Sequence, residues 1–204
     1  MAKIKKTKHE LKVQREALDR YHRFLPTLEL KKQQLQKEVR QVEAALRASQ
    51  EREADVWAEL RPWIKLLEAP ELFAPYVRIK EVLIDTSNIA GVSVPVFRDV
   101  HFHEPSVDFF LTPAWHEEAV AVLRELTAVR VEQVVLARQR DLLAEELRIT
   151  SQRVNLFEKV MIPRAEENIR VIQIALGDEQ TAGVARAKIA KGKSHELVSG
   201  ATGG

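Results

Sequence analysis

Apolar residues repeat in heptads through the first third of this chain and again through its second half, and few folds can use that pattern. From Leu18, steps alternating between three and four residues reach Tyr21, Leu25, Leu28, Lys32, Leu35, Val39, Val42, Leu46, Ser49, Glu53, Val56, Leu60, Trp63 and Leu67. The residues between them are mostly Glu, Lys, Arg and Gln. On a helix of 3.6 residues per turn these positions form one narrow seam. A seam that narrow cannot bury itself and needs a second helix. The expectation is a long rod, suited to connecting, spacing or transmitting rather than to enclosing a reaction.

The second helix is supplied downstream. Trp115, Ala119, Val122, Leu126, Val129, Gln133, Leu136, Arg140, Leu143, Leu147, Thr150, Val154, Phe157 and Met161 continue the repeat. It then resumes at Ala165, Ile169, Ile172 and Leu176. Two successive steps of four there are a stutter, which locally unwinds a coil. Pro163 lies at the stutter and Pro26 lies in the first arm; each removes one helical hydrogen bond and is expected to kink its helix. Thr112-Pro113 suits a helix start, with Thr as cap and Pro in the first turn. Gly177 suits a helix end, with a further short helix expected over 178–193 and disorder over 199–204.

Between the arms the composition changes. Pro70, Pro75, Pro95 and Pro105 fall in this stretch. Residues 72–84 read as a short helix. Val92, Val94 and Val96 alternate, and Val100 and Phe102 follow the polar pair Arg98-Asp99, which reads as a short β-hairpin turning at that pair. Pro95 places its strand at an edge. The expected fold is mainly α: a long antiparallel two-helix coiled coil with a small insert holding a β-hairpin. Its parts are a first helix (1–67), the insert (68–111), a second helix (112–177) and a basic segment with a flexible tail (178–204). Pairing Leu67 with Trp115 sets Ser49 opposite Gln133, Lys32 opposite Thr150 and Gln14 opposite Asn168. Polar pairs of this kind fix register at a cost in stability. Glu53 and Arg140 do not fit, since they face Val129 and Val42.

Composition excludes several classes. Charged residues make up 30% of the chain, yet the net charge is only +2, so the whole chain is no nucleic-acid binder by charge. There is no cysteine, hence no disulfide or thiolate metal site. The first residues, rich in Lys, have no apolar core, so no signal peptide is expected. No apolar run reaches the length of a membrane span. No glycine-rich phosphate loop and no nucleophile–base set occurs, so neither a cofactor nor catalysis is expected. His101, His103, Glu104 and His116 are candidate metal ligands, but an exposed hairpin face explains them better. Antiparallel folding gathers Lys3, Lys5, Lys6, Lys8, Lys12 and Arg15 near Arg186, Lys188, Lys191 and Lys193, giving one strongly basic end.

The stretch Arg153-Val154-Asn155-Leu156-Phe157-Glu158-Lys159-Val160-Met161-Ile162-Pro163 resembles the signature in the C-terminal helix of the D subunit of the V/A-type rotary ATPases. Phe24-Leu25-Pro26-Thr27-Leu28-Glu29-Leu30-Lys31-Lys32 and Gly91-Val92-Ser93-Val94-Pro95 are similar to a bacterial branch of that family. The resemblance implies a non-catalytic central rotor stalk. It would stand inside a ring of catalytic and non-catalytic head subunits and contact the F subunit and the subunit that caps the membrane ring. It would lie in the cytoplasm, peripheral to the membrane through the complex. The expected partner-facing residues are the basic set Lys5, Lys6, Lys8, Lys12, Arg15, Arg186 and Lys188, the signature residues Arg153, Asn155 and Glu158 with neighbouring Arg164, and Val94, Phe97 and Phe102 of the insert. Phe97 and Phe102, with Phe109 and Phe110, suit either a small core of the insert or a docking surface. Trp63 and Trp115 lie on the seams and are expected to pack there, whereas Trp57 lies off the seam. A static coiled-coil adaptor is the alternative, and a nucleic-acid-binding coil a third reading.

Overall fold

A computed structural model describes residues 4–67, 72–105 and 115–201. Helix α1 spans Lys8–Leu60 and is followed by a 3-10 segment, Arg61–Leu67. The four-residue helix α2, Ala74–Val77, leads into strands β1, Ile79–Ile89, and β2, Val92–Phe102. Helix α3 spans His116–Leu156, a π turn covers Phe157–Met161, and α4 spans Ile162–Ala201. The fold is mainly α, an antiparallel coiled coil with an inserted β-hairpin. It divides into two compact units. One joins Met1–Glu29 with Gln152–Gly204, and the other is Leu30–Ser151.

The heptad explains why these helices form. Every seam position from Leu18 to Leu60, and from Ala119 to Leu176, is buried or half-buried. The side chains of Trp63 and Leu67 lie outside the described residues, as do Thr112, Pro113, Phe109 and Phe110. At the start of α1 the Glu10 amide donates to the Thr7 hydroxyl at 3.3 Å. That bond satisfies one of the four amides a helix start leaves free. Pro26 lies inside α1, which continues through it.

In the unit Leu30–Ser151, α1 and α3 run antiparallel. The Lys31 amine meets Glu146 at 2.6 Å, and further along Gln133 donates to the Ser49 carbonyl at 3.2 Å. Leu35, Val42, Leu143 and Val94 form one buried cluster, so the hairpin packs on the two helices through Val94. Val39, Leu136, Leu147, Ile89 and Val92 surround it. A second cluster joins Val56 and Leu60 to Leu126. Burying each such side chain contributes about 1.5–3 kcal/mol. At the base of the insert, His116 is buried, stacked on Phe73 with ring centroids 5.4 Å apart and edge-on to Tyr76 at 4.8 Å. Trp115 is half-buried, 6.0 Å from the Phe73 ring.

The hairpin differs from expectation. Residues 79–84 are strand, and the short helix keeps only Ala74–Val77. Val92 to Phe102 is a single strand, and its partner is Ile79–Ile89. The polar pair Arg98-Asp99 marks a β-bulge: Ile84 pairs with Phe97 and Leu83 with Asp99, leaving Arg98 extra. The turn lies at Ala90-Gly91, with φ of 50° and 83°. Two successive positive φ values are what a two-residue hairpin loop of matching twist requires. The Gly91 amide donates to the Asn88 side chain at 3.0 Å, which closes the loop.

In the other unit, Ala17, Val154, Ile162, Ala165 and Ile172 are buried. The rings of Tyr21 and Phe157 lie 5.3 Å apart, and Asn168 donates to Gln14 at 3.2 Å. The polar pairs read from the sequence at Ser49–Gln133 and Gln14–Asn168 are thus hydrogen-bonded. The stutter is absorbed by the π turn, where the Ile162 amide reaches the Phe157 carbonyl, five residues back. Pro163 has no amide to offer and its ring crowds the turn before it, so a widened turn is a natural solution.

Gly177 does not end the helix. α4 runs through Gly177 and Gly183, and residues 178–193 continue it rather than forming a separate helix. Its end at Ala201 reaches into the stretch expected to be disordered. Glycine inside a helix costs about 1 kcal/mol, too little to break one among good helix formers such as Ala, Gln, Arg and Lys. From Gly177 to Lys191 every residue except Gly183 is exposed. A Cβ added at Gly183 meets nothing within 4 Å. Gly183→Ala should therefore stabilise this stretch by about 0.5–1 kcal/mol, read as a rise in helical circular dichroism. A loss of helix would show that the glycine serves another purpose.

Candidate partner interface

The expected interface residues divide into three groups. In the basic group, Lys5, Lys6, Lys8, Lys12 and Arg15 are exposed at the start of the chain, and Arg186 and Lys188 are exposed on α4. Lys12 makes a solvent-facing pair with Glu16 at 3.8 Å. Pairs so exposed add little stability, which leaves these charges available for longer-range attraction.

The second group surrounds the π turn. Val154 is buried on the seam, while Arg153, Asn155 and Glu158 are exposed, and Arg164 is exposed just after the turn. Leu156 and Val160 are each 48% exposed, and Phe24 of α1 is 53% exposed. Sequence reasoning offered Arg153, Asn155, Glu158 and Arg164 as partner-facing here and did not include these three. Their signal was available, since Phe24, Leu156 and Val160 all lie off the heptad seam.

The third group is the insert. Val94 is not partner-facing: it is fully buried against Leu35, Val42 and Leu143. Strand alternation points it inward because Val94 sits on the face of β2 that meets the helices. Phe97 and Phe102 are half-buried. The Arg124 guanidinium covers the Phe102 ring at 5.3 Å. Arg124 also donates to the carbonyls of Tyr76 at 2.9 Å and His103 at 3.1 Å, tying α3 to both ends of the hairpin segment. No sequence pattern marked Arg124, because its partners are backbone carbonyls.

The histidines separate. His101 is exposed beside Asp99 at 3.8 Å, and the buried His116 ring meets the Leu72 carbonyl at 3.2 Å. Among the described residues no group of three metal-ligating side chains comes together.

Glu53, the misfit of the apolar seam, is well partnered. It accepts from Arg130 at 2.9 Å, Gln133 at 3.0 Å and Trp57 at 3.4 Å. These donors, Arg130 foremost and then Gln133, hold its carboxyl below the ordinary carboxylate value against the opposing effect of burial. A depressed folded value stabilises the fold above the unfolded value and loses that effect as pH falls through the folded one. The stability difference between the natural chain and Glu53→Gln should thus be constant above pH ~5 and shrink in acid below pH ~4. A pH-independent difference in urea melts would show that the charge on Glu53 is immaterial.

Residues 10–192 match the family model for the D subunit of ATP synthase. The V-type ATP synthase D subunit of Borreliella burgdorferi is 43% identical over 191 residues, covering 94% of this chain and 95% of that protein. That of Chlamydia caviae is 35% identical over 199 residues, covering 94% of each. The chain belongs to the ATP synthase D-subunit family. For this D-subunit chain the match takes in both helical arms, the hairpin and the signature at the π turn. It also takes in Lys12, Arg15, Arg186 and Lys188, whereas Lys5, Lys6 and Lys8 lie before it. No helix of its described residues is long and apolar enough to cross a membrane.

Proposed function

We propose that this chain is the central rotor shaft of a V/A-type proton- or sodium-translocating ATPase or ATP synthase, carrying torque between the catalytic head and the membrane ring. The observation that carries the reading is the D-subunit match, continuous over residues 10–192 through both arms of the coil and the hairpin between them. Two features of the chain support it. One chain supplies both strands of its own coil, so a single copy suffices at the centre of a ring. The two strands are also unlike: α1 runs on through Pro26, while the opposite arm holds a π turn. A shaft must present different surfaces to equivalent sites at one moment, and unlike strands provide that. ATP turnover is assigned to the surrounding head subunits.

In this reading the partners are the catalytic and non-catalytic head subunits, the F subunit and the subunit capping the membrane ring, and the chain is cytoplasmic, held at the membrane by the complex. The basic residues face a polar or acidic sleeve, where long-range attraction permits sliding better than tight pairs do. Arg153, Asn155, Glu158 and Arg164 contact the head, and Phe97 and Phe102 lie toward the other partners.

The test is purification of the complex through a tag on this chain, followed by single-molecule observation of a bead fixed to it. The expected result is one copy per ATP-hydrolysing head and rotation on adding ATP. An intact head that hydrolyses ATP while the bead stays still would overturn the shaft reading in favour of a static adaptor.

A further inference from the structure

An apolar heptad does not distinguish one repeat from the next. After a slip of one repeat, an axial step of about 10 Å at 1.5 Å per residue, Val42 of α1 would still meet Leu147 of α3 in one direction, and Val39 would meet Leu136 in the other. Something else must hold the register of the unit Leu30–Ser151.

One stretch of its seam is polar on both helices. Ser49 is fully buried, and its hydroxyl donates to Glu132 at 3.2 Å. Arg52 reaches the same carboxylate at 2.5 Å. In the opposite direction, Gln133 donates to the Ser49 carbonyl at 3.2 Å and to Glu53 at 3.0 Å. Arg130 donates to the other Glu53 oxygen at 2.9 Å and spreads over the Trp57 ring at 5.6 Å. Donors and acceptors lie on both helices. Among the described residues no buried side-chain polar atom is left without a partner.

We infer that this cluster of Ser49, Arg52, Glu53, Arg130, Glu132 and Gln133 is an axial latch that holds α1 and α3 in a single register and blocks sliding between them. A slip of one heptad in either direction sets Gln133 against Val42 or Val56, and Glu53 against Val122 or Leu136. In both directions Gln133 then faces an alkyl side chain and loses the Ser49 carbonyl and Glu53, and a buried donor or acceptor without a partner is penalised far more than a made bond is rewarded. The aliphatic pairs that the slip re-forms, such as Val42 with Leu147, lose little. Selectivity between registers is therefore concentrated in this one stretch, as a polar layer does in other coils. Arg130 also borders the groove that α3 forms with Val82 and Ile84 of β1, so the latch lies where the hairpin runs along α3. The inference concerns the chain alone and stands apart from the rotor reading.

The chain has no cysteine, which makes a direct test simple. Lys37 and Ala144 are exposed on α1 and α3. Spin labels on Lys37→Cys and Ala144→Cys in the full chain report the register by pulsed dipolar spectroscopy. With the latch intact, one narrow distance is expected. In the same chain carrying Ser49→Leu, Glu53→Leu and Gln133→Leu, this stretch of the seam is apolar, and a second population displaced by an axial step of about 10 Å is expected. A single unchanged distance in that variant overturns the latch. If the triple variant loses helix by circular dichroism, Glu53→Gln with Arg130→Gln takes its place. That pair removes the charges at similar size and is read by the same two outcomes.

Discussion

Leu143→Ala lowers the unfolding free energy by about 2–5 kcal/mol, the largest loss expected from shortening one side chain here. Leu143 is fully buried where α1, α3 and the hairpin meet, against Leu35, Val42 and Val94. Three elements converge on it, so the cavity cannot be closed by moving one of them. The check is a urea melt followed by helical circular dichroism. Val134→Ala is the control, because Val134 is 70% exposed on the same helix. The control should shift stability by less than about 0.5 kcal/mol. Equal effects at the two sites would mean that the three-way cluster is not a core.

Val94→Asp should separate the hairpin from the helices without melting them. A carboxylate set among Leu35, Val42 and Leu143 is uncompensated, and a buried charge left unpaired costs about 3–5 kcal/mol. The strand has a way out, since leaving the helices returns the charge to water. The observed loss is then limited to the docking energy of the hairpin. Amide exchange should speed up in β1 and β2 while α1 and α3 keep their protection. The effect should weaken in acid, because burial raises the introduced carboxyl's pKa and the neutral acid is easier to bury. Unchanged exchange in β1 and β2 at neutral pH would refute the docking role of Val94.

How much of this was legible in the sequence depended on whether a signal was periodic or local. The seam is periodic, and each of its described positions proved buried or half-buried. The register set by pairing Leu67 with Trp115 matched three polar pairs, and two of them, Ser49–Gln133 and Gln14–Asn168, are hydrogen-bonded, because polar residues in a seam must find each other. The hairpin was foreseen but its arms were misplaced. Ile79, Val82, Leu83 and Ile84 fit a helical period as well as an alternation, and the turn at Ala90-Gly91 lacks the usual Asn-Gly pair. Arg98-Asp99 looked like a turn because bulges and turns both accept polar residues. Among the expected interface residues, Val94 was misjudged for a related reason: alternation gives two faces but not which one meets the helices. Glu53 looked unsuited to the seam because Arg130 and Trp57, its partners, lie beside the seam rather than on it. Arg124 left no trace, since a side chain that clasps backbone carbonyls needs no complementary residue type.

The π turn at Phe157–Met161 bears on insertions and deletions. In an ordinary α-helix, losing one residue rotates everything beyond it by about 100° and turns a buried face outward. Here one surplus residue is already stored in a wide turn. A deletion inside that turn can be taken up by tightening π to α, leaving the faces on both sides where they were. The same deletion elsewhere in α3 or α4 would misalign every seam residue downstream. Within the second arm, this short turn is the place where the chain can change its length by one and keep its packing.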